Sequence, residues 1–268
     1  MANFRDILAM LVQQGMASSA PRRMGNAFGV NDKSDTGSLI DIIGQLGGML
    51  AGQGGSDSSS QNVGGLGGIL GEVLDSLGGN QSLEGVVGNL AALAEAIFGN
   101  NSTKQANRTA IGSGILSMLA SLAVAALRKA GHQPAVMPMS LYEPKTDQDL
   151  AAIENEAEII VKAMINAAKA DGRIDDAEVK KIIGKLQEDG LSEQEKQFFI
   201  QEASKPLDIN ELIKSAKGRP ELAAQIYAAS LLAIEVDTPA EKEYMQQLAK
   251  GLCLDSQVIE HIHQLLGV

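Results

Sequence analysis

This sequence of 268 residues lacks tryptophan and has a single cysteine, and both shortages exclude kinds of function. With Cys253 as its one thiol, the chain cannot form an intramolecular disulfide, and it has too few thiolates for a cysteine-based zinc or iron–sulfur site. Three tyrosines and five phenylalanines are too few to suggest a platform on which bases stack. A formal charge of −11 also argues against a nucleic-acid partner, because phosphates require a basic surface.

Charge and glycine divide the chain into two unlike halves. Residues 1–130 hold nine acidic and eight basic residues, a net charge of −1, and 22 of the 29 glycines. Residues 131–268 hold 24 acidic and 14 basic residues, a net charge of −10. We predict four regions: a Gly/Leu-rich low-complexity region with short amphipathic helices at 1–108, an apolar helix at 109–129, a proline-containing linker at 130–146, and an all-α domain at 147–268.

Three segments of the first half, at 39–50, 63–79 and 82–99, are rich in Leu, Ile and Val and carry glycines every three or four residues. Glycine destabilises an isolated helix in water by ~1 kcal/mol relative to alanine, which favours partial disorder. The same spacing lets helix backbones approach closely, above all in lipid. Two interpretations stay open: a disordered arm, or amphipathic helices that pack against one another, against a partner protein or in a membrane.

Residues 111–127 form the longest uncharged apolar run, with Arg108 before it and Arg128 and Lys129 after it. Its length is at the short end of the ~17–25 residues that cross a bilayer. The run also lacks the polar stripe that the surface helix of a soluble protein shows. We predict a transmembrane helix at 109–129, and the alternative is a helix buried inside a soluble protein.

From Asp147 onward the apolar residues follow a helical period, and no strand signal interrupts them. We predict seven short helices, so that the fold class is all-α and the C-terminal part is a compact helical bundle. Sequence signals for helix starts support this division. They are the capping box of Ser192 with Glu195, its repeat in Asp208 with Glu211, and the start at Thr238, Pro239 and Glu241.

Two stretches of this domain repeat each other: "AAKADGRIDDAEVKKIIGKL" (167–186) and "LAIEVDTPAEKEYMQQLAKGL" (232–252). In both, an apolar helix leads to an aspartate, a tight turn follows, and Ala-Glu begins the next helix. We call the turn at 169–178 the first corner and the turn at 234–241 the second corner. Asp171 corresponds to Asp237 and Glu178 to Glu241, which indicates a duplicated helix–turn–helix unit.

The first corner matches the later half of a calcium-binding loop. Asp171, Asp175 and Glu178 take positions five, nine and twelve of that loop, but positions one and three are Ala167 and Lys169. A calcium ion takes about six or more oxygen ligands, so this loop alone should bind it poorly.

A metal site is therefore predicted only if the two corners share one divalent cation. Its ligands would be Asp171, Glu178, Asp237 and Glu241, with Asp175 as a further candidate. The alternative is that the same residues cap helices, because acidic side chains stabilise the first turn of a helix and glycine commonly follows its end. Capping explains every one of them without a metal.

The stretches "AAKADGRIDDAE", "YAASLLAIEVDTPAEKEYMQQLA" and "LCLDSQVIEHIHQ" resemble the TerB-like helical domain, named for the tellurite-resistance protein. They are most similar to its YebE-like family of bacterial inner-membrane proteins of unknown function. The resemblance covers about residues 147–268, and it implies an all-α fold, envelope association and a metal-chelating role for the acidic residues of both corners. One departure is that the second corner has Asp237-Thr238-Pro239 in place of Asp-Gly.

The chain has no phosphate-binding, nucleophile-elbow or zinc-protease motif, and we predict no enzymatic activity. Cys253 lies on an apolar stretch and is expected in the core, while His261 and His263 should point to different faces of one helix. The leading prediction is a membrane-associated interaction or sensing protein of the bacterial inner membrane. Its C-terminal domain would lie in the cytoplasm and respond to a divalent cation.

Two alternatives to this prediction remain. The first is a soluble structural or assembly protein whose glycine-rich helices self-associate and whose residues 111–127 form a buried interface. The second, which the sequence favours less, is a hydrolase that uses clustered carboxylates with a metal.

Overall fold

The computed structural model describes residues 3–13, 19–27, 107–134, 136–170, 172 and 191–268. Every regular element in these ranges is helical, which confirms the all-α prediction. A 3-10 helix, Met139–Leu141, lies between the third and fourth α-helices. The α-helices are α1 (Phe4–Gln13), α2 (Ala20–Ala27), α3 (Asn107–Lys129), α4 (Asp147–Ala168), α5 (Glu193–Ser204), α6 (Ile209–Ser215), α7 (Pro220–Ala233), α8 (Pro239–Gly251) and α9 (Ser256–Leu266).

Six of the seven helices predicted after residue 147 are present as α4 to α9, and the other falls in 173–190, outside the described residues. Three of the six start at capping boxes, of which the first pairs Thr146 with Asp149 at α4. Ser192 accepts a hydrogen bond from the main-chain N–H of Glu195, whose side chain accepts one from the N–H of Ser192. Thr238 and Glu241 form the same pair at the start of α8. All three helix starts are therefore fixed by residues close in sequence.

The predicted box at Asp208 forms only in part. Asp208 caps α6 by accepting from the N–H of Asn210 at 2.9 Å. Glu211 instead pairs with Lys162 of α4, with Nζ and Oε1 2.8 Å apart. The carboxylate predicted to close a local box thus links α6 to α4.

The core is built around α3. All of its residues from 114 to 127 are buried, and it packs against α1, α7, α9 and the 3-10 helix. A helix that is apolar on every side must be covered by protein or by lipid, and in this structure protein covers 89% of its most apolar window. By length and composition the stretch Arg108–Lys129 could also cross a membrane. The placement corresponds to the buried-helix alternative, and the membrane span stays a prediction.

Helix α1 lies between α3 and α4, and its residues from Ile7 to Val12 are all buried. Its backbone approaches α3 so closely that a Cβ at Gly112 would lie 2.0 Å from the main-chain oxygen of Arg5. Only glycine permits this contact. The N-terminal helix is thus held by close packing against the centre of the bundle.

Carboxylates from the second half of the chain hold the N-terminal end of α1. The N–H of Phe4 donates to Glu154 of α4 and the N–H of Asn3 donates to Glu195 of α5, both at 2.9 Å. Arg5 forms an ion pair with Glu154 at 2.5 Å. The first amides of a helix have no partner within the helix, and these side chains supply one.

One hydrophobic cluster includes residues of α1, α2, α3 and the helices after residue 147. Within the described part of the chain, the helices of the region predicted at 1–108 therefore share a core with the domain predicted at 147–268.

The expectation that Cys253 is in the core is wrong. Cys253 is exposed, and it follows the end of α8 in the left-handed region at φ 54°. Its N–H bonds to Lys250 and that of Leu254 to Ala249, so the chain reverses at this residue and the side chain faces outward.

Candidate functional site

The second corner joins α7 to α8 and contains the two predicted metal ligands that the structure describes. Glu241 is buried, and its Oε2 accepts hydrogen bonds from the N–H of Thr238 at 2.9 Å, the hydroxyl of Thr238 at 2.7 Å and the N–H of Asp237 at 3.3 Å. Three donors thus occupy one carboxylate oxygen. For Glu241 the capping interpretation is confirmed.

Asp237, the other predicted ligand, is exposed. Among the described residues, no group of three or more His, Cys, Asp or Glu side chains is placed to hold a metal. A hard divalent cation takes about six oxygen ligands, so the second corner, which is one half of the predicted shared site, does not by itself provide enough of them. Asp171, Asp175 and Glu178 lie outside the described residues, and a site shared between the corners stays a prediction.

Arg23 of α2 brings a guanidinium group to the second corner. Its side chain is buried, and its Nη1 donates to the main-chain oxygens of Leu231 and Ile234, the latter at 2.5 Å. These carbonyls lie at the C-terminal end of α7, where helical carbonyls lack partners within the helix. Arg23 is therefore a helix cap that comes from 208 residues earlier in the chain.

Charges at the corner act on this arginine. Burial lowers the pKa of Arg23, and the negative charge of Glu235 opposes that shift. The positive charge of Arg22 lowers the pKa further, and the charge of Glu241 opposes it. Arginine stays protonated in proteins, so the corner holds a permanent positive charge beside its two glutamates.

His263 of α9 is a further polar group in the field of Arg23. Its Nε2 lies 2.9 Å from the hydroxyl of Tyr227, and the two rings stack with centroids 5.8 Å apart. Burial lowers the pKa of His263 and the charge of Arg23 lowers it further, so the neutral imidazole is favoured at pH 7. Burial raises the pKa of Tyr227 to about 12. His261 is not part of this pair and bonds to Gln264, as the spacing of the two histidines predicted.

Lys169 has a comparable place at the start of the first corner. It is buried, and its Nζ donates to the main-chain oxygens of Glu202 at 2.9 Å and Lys205 at 3.1 Å, at the end of α5. Burial lowers the pKa of Lys169, the charge of Glu202 opposes the shift, and that of Lys205 adds to it. The residue that takes a ligand position in the calcium pattern is thus a cation inside the bundle.

The acidic run of Glu154, Glu156 and Glu158 predicts a solvated face, and for Glu156 of α4 that prediction is wrong, because its carboxyl group is buried. Its Oε1 accepts from the hydroxyl of Ser140 at 3.0 Å, and the main-chain oxygen of Ser140 accepts from Ser117 of α3 at 2.6 Å. Burial raises the pKa of Glu156, while hydrogen bonds from Ser140 and Gln225 and the charge of Arg219 oppose the shift. This chain of contacts fixes the 3-10 helix, within the linker predicted at 130–146, against α3 and α4.

Sequence reasoning missed Arg23 as well. The available signal was a pair of adjacent arginines, Arg22 and Arg23, of which one is exposed and the other buried. Nothing in the local pattern distinguishes them, because the partners of Arg23 lie at the far end of the sequence.

Comparison with known proteins supports a family relationship over most of the chain. Residues 76–266 match the family model described as "Protein of unknown function (DUF533)". A curated relative, an "Uncharacterized protein in ampR 5'region" of Yersinia enterocolitica, is 31% identical over 122 residues, which are 46% of this chain and 87% of that protein. No solved structure matches the chain.

Proposed function

Because this chain belongs to the DUF533 family, whose function is unknown, we propose a function from its geometry: a non-enzymatic interaction protein that self-associates through its glycine-rich segment. In this proposal the helical bundle is a scaffold. It holds residues 28–106 at both ends, and the Leu/Ile/Val-rich stretches at 39–50, 63–79 and 82–99 make the contacts between copies.

The observation that carries this proposal is that α2 and α3 lie in one core. The segment 28–106 follows Ala27 of α2 and precedes Asn107 of α3, and both of these helices belong to the bundle. The two ends of the segment are therefore anchored. Its glycine spacing favours close helix packing, and its poor helix propensity means that such helices need a partner surface to be stable.

Sedimentation velocity of the full chain over a range of concentrations tests this proposal. We expect a concentration-dependent oligomer that Gly44→Leu/Gly48→Leu weakens by about tenfold or more in dissociation constant. Ser58→Ala/Ser59→Ala, in the polar stretch between two apolar segments, is the matched control and should leave the oligomer intact. A wild-type chain that sediments as a monomer at every concentration would contradict self-association.

Membrane association is the second candidate function, supported by the stretch Arg108–Lys129. Its most apolar 18-residue window has a mean hydropathy of 2.0, and its length of 22 residues suits a bilayer. In this candidate the chain is located at a bacterial inner membrane, with α4 to α9 in the cytoplasm, and a membrane takes the place of part of the protein that covers α3.

Alkaline carbonate extraction of bacterial membranes that contain the full chain separates the two candidates. A protein that keeps α3 inside its bundle is released into the supernatant, whereas a protein anchored by α3 stays in the membrane pellet. Arg108→Leu/Arg128→Leu, which lengthens the apolar run at both ends, is the positive control for retention.

The finer assignment to the TerB-like domain and its YebE-like family also stays a proposal, supported by the motifs of the two corners. The metal response that this resemblance implies has less support. The described half of the predicted site uses Glu241 as a helix cap and leaves Asp237 exposed.

A further inference from the structure

The linker at 130–146 connects the end of α3 to the start of α4 and contains the 3-10 helix. This helix has three residues, and Pro138 before it forms no side-chain cap, so it depends on contacts with its surroundings. Leu141 is fully buried. Ser140 bonds to both neighbouring helices, because its main-chain oxygen accepts from Ser117 of α3 and its hydroxyl donates to Glu156 of α4. The position of the linker therefore rests on Ser140 and its two partners.

Glu156 lies in surroundings without a compensating cation in contact. It is 3% exposed, and its hydrogen-bonding partners are the hydroxyl of Ser140 and the side chain of Gln225, both uncharged. Among the ion pairs of the described residues, none includes Glu156. Arg219, at the start of α7, acts on it through its charge. Burying a carboxylate with so little compensation is unfavourable.

Charged groups on the elements packed against α4 bond elsewhere. They are Arg5 of α1 with Glu154, Glu195 of α5 with the N–H of Asn3, Glu211 of α6 with Lys162, which also pairs with Glu158, and Glu221 of α7 with the N–H of Val136.

Gln225 offers a group that a neutral carboxyl can use. Its Oε1 is buried and has no hydrogen-bond partner among the described residues. A protonated carboxyl has an O–H to donate, and the oxygen and nitrogen of a glutamine amide exchange places when its last bond rotates. The polar groups around Glu156 therefore suit the protonated form, and burial raises the pKa of Glu156 in the same direction.

We propose that Glu156 holds a proton in the folded protein at neutral pH and that loss of this proton releases the 3-10 helix from α4. A carboxylate needs water or a cation, and the linker is the cover that can move aside, because Gln133 and Val136 within it are exposed. Ser140 moves with the linker, and Ser117 of α3 then loses its acceptor. The linker is thus a cover whose closing depends on one proton, and this proposal rests on neither self-association nor a membrane.

The direction of the pH dependence follows from the pKa of Glu156. Burial raises this pKa above its ordinary value of 4.5 while the linker is closed, and a carboxyl exposed by an open linker returns to that value. Between the two values the closed form binds more protons than the open form. Closing is therefore fully favoured below pH 4.5 and is lost as the pH rises through the pKa of the closed form.

Infrared difference spectroscopy of the full chain at pH 7 tests whether the proton is present. The spectrum of the wild type minus that of Glu156→Gln should contain the C=O band of a protonated carboxyl. Glu158→Gln, two residues away on α4, is the matched control and should give no such band. Asp6, another carboxyl whose pKa burial raises, cancels because every one of these proteins contains it. Absence of the band for Glu156→Gln overturns the proposal.

Hydrogen exchange tests whether the linker is released. The N–H groups of Leu141 and Tyr142 donate to the carbonyls of Pro138 and Met139, and their protection factors are corrected for the pH dependence of chemical exchange. From pH 6 to pH 9 we expect protection to fall by about tenfold or more in the wild type and in Glu158→Gln. In Glu156→Gln it should change by less than about twofold. Constant protection in the wild type, or an equal fall in Glu156→Gln, contradicts release.

The wild type alone gives a decision if Glu156→Gln fails to fold. Labelling glutamate with ¹³C shifts its infrared band and separates it from that of aspartates such as Asp6. The band of a protonated glutamate and the protection of Leu141 should then disappear over the same pH range. A band that persists after the protection is lost, or protection that outlasts the band, shows that the proton does not hold the linker.

Discussion

The two N-terminal helices are attached to the same bundle with opposite polarity. Helix α1 offers main-chain N–H groups to the carboxylates of Glu154 and Glu195, whereas α2 offers the guanidinium of Arg23 to main-chain carbonyls of α7. The amount of supporting packing also differs. Helix α1 buries six consecutive residues, Ile7 to Val12, and touches α3 at Gly112, while α2 buries the charged side chain of Arg23 beside only Ala20, Met24 and Ala27. Packing should therefore dominate the stability of the first attachment and charge that of the second.

Close packing at α1 should produce the largest effect. Gly112→Ala places a Cβ where the carbonyl of Arg5 lies, and backbone atoms cannot move aside as a side chain can. We expect a loss of about 3 kcal/mol in the free energy of unfolding, measured by urea denaturation. Ala110→Ser, at a half-buried position of the same helix, should change it by less than about 0.5 kcal/mol. Equal losses in the two variants would show that α1 does not rest on Gly112.

The charge at α1 should have a smaller effect. Glu154→Gln removes the ion pair with Arg5 but leaves an oxygen that can accept from the N–H of Phe4. Because both side chains are partly exposed, we expect a loss of only about 1 kcal/mol in urea denaturation.

Glu158→Gln is the matched control on the same helix. It breaks the pair of Glu158 with Lys162, which are four residues apart in α4, and should lose about 0.3–0.5 kcal/mol. A loss at Glu154 that exceeds the loss at Gly112 would reverse the ranking of packing over charge at α1.

The charge of Arg23 on α2 should have the smallest effect on stability. That effect should be seen as a pH dependence of the free energy of unfolding, through His263. His263 has a lowered pKa in the folded protein through burial and the charge of Arg23, so between its unfolded value near 6.5 and its folded value the unfolded chain binds more protons. The stability associated with His263 is thus complete above pH 6.5 and decreases as the pH falls below it.

Urea midpoints measured from pH 8 to pH 5 should show this decrease in the wild type. The decrease should be smaller in His263→Gln, whose amide can still bond to Tyr227, and it should equal that of the wild type in His261→Gln, because His261 bonds to Gln264 and not to Tyr227. Parallel curves for all three proteins would exclude His263 as the titrating group.

Local signals predicted the parts of the fold that depend on neighbours in sequence. The capping boxes at Ser192 and Thr238 form as predicted because all of their atoms lie within four residues. The metal hypothesis relied on Glu241, which also belongs to a capping box. The sequence pattern could not show that the donors of this capping box would bond to the Oε2 that a metal would need. The sequence shows that Lys169 takes the place of a calcium ligand in the loop pattern. Its role as a cap of α5 could not be predicted, because it depends on a helix that is distant in sequence.

Contacts between distant parts of the chain could not be predicted in this way. The apolar run of α3 has the same composition whether lipid or protein covers it, because both are apolar surroundings. That α1 provides part of the cover depends on contacts with distant residues, such as the hydrogen bond from the N–H of Phe4 to Glu154, which is 150 residues away. For the same reason the buried Arg23 is indistinguishable in sequence from its exposed neighbour.

The packing of α1 inside the bundle has a consequence for folding during translation. Phe4 and its helix leave the ribosome before the rest of the bundle, and Glu195, which accepts a hydrogen bond from the N–H of Asn3, is translated 192 residues after Asn3. At about 5–20 residues per second this interval lasts about 10–40 s. Throughout that time the apolar residues from Ile7 to Val12 have at most part of the bundle to pack against, and we expect the nascent chain to depend on a chaperone or a membrane surface to cover them.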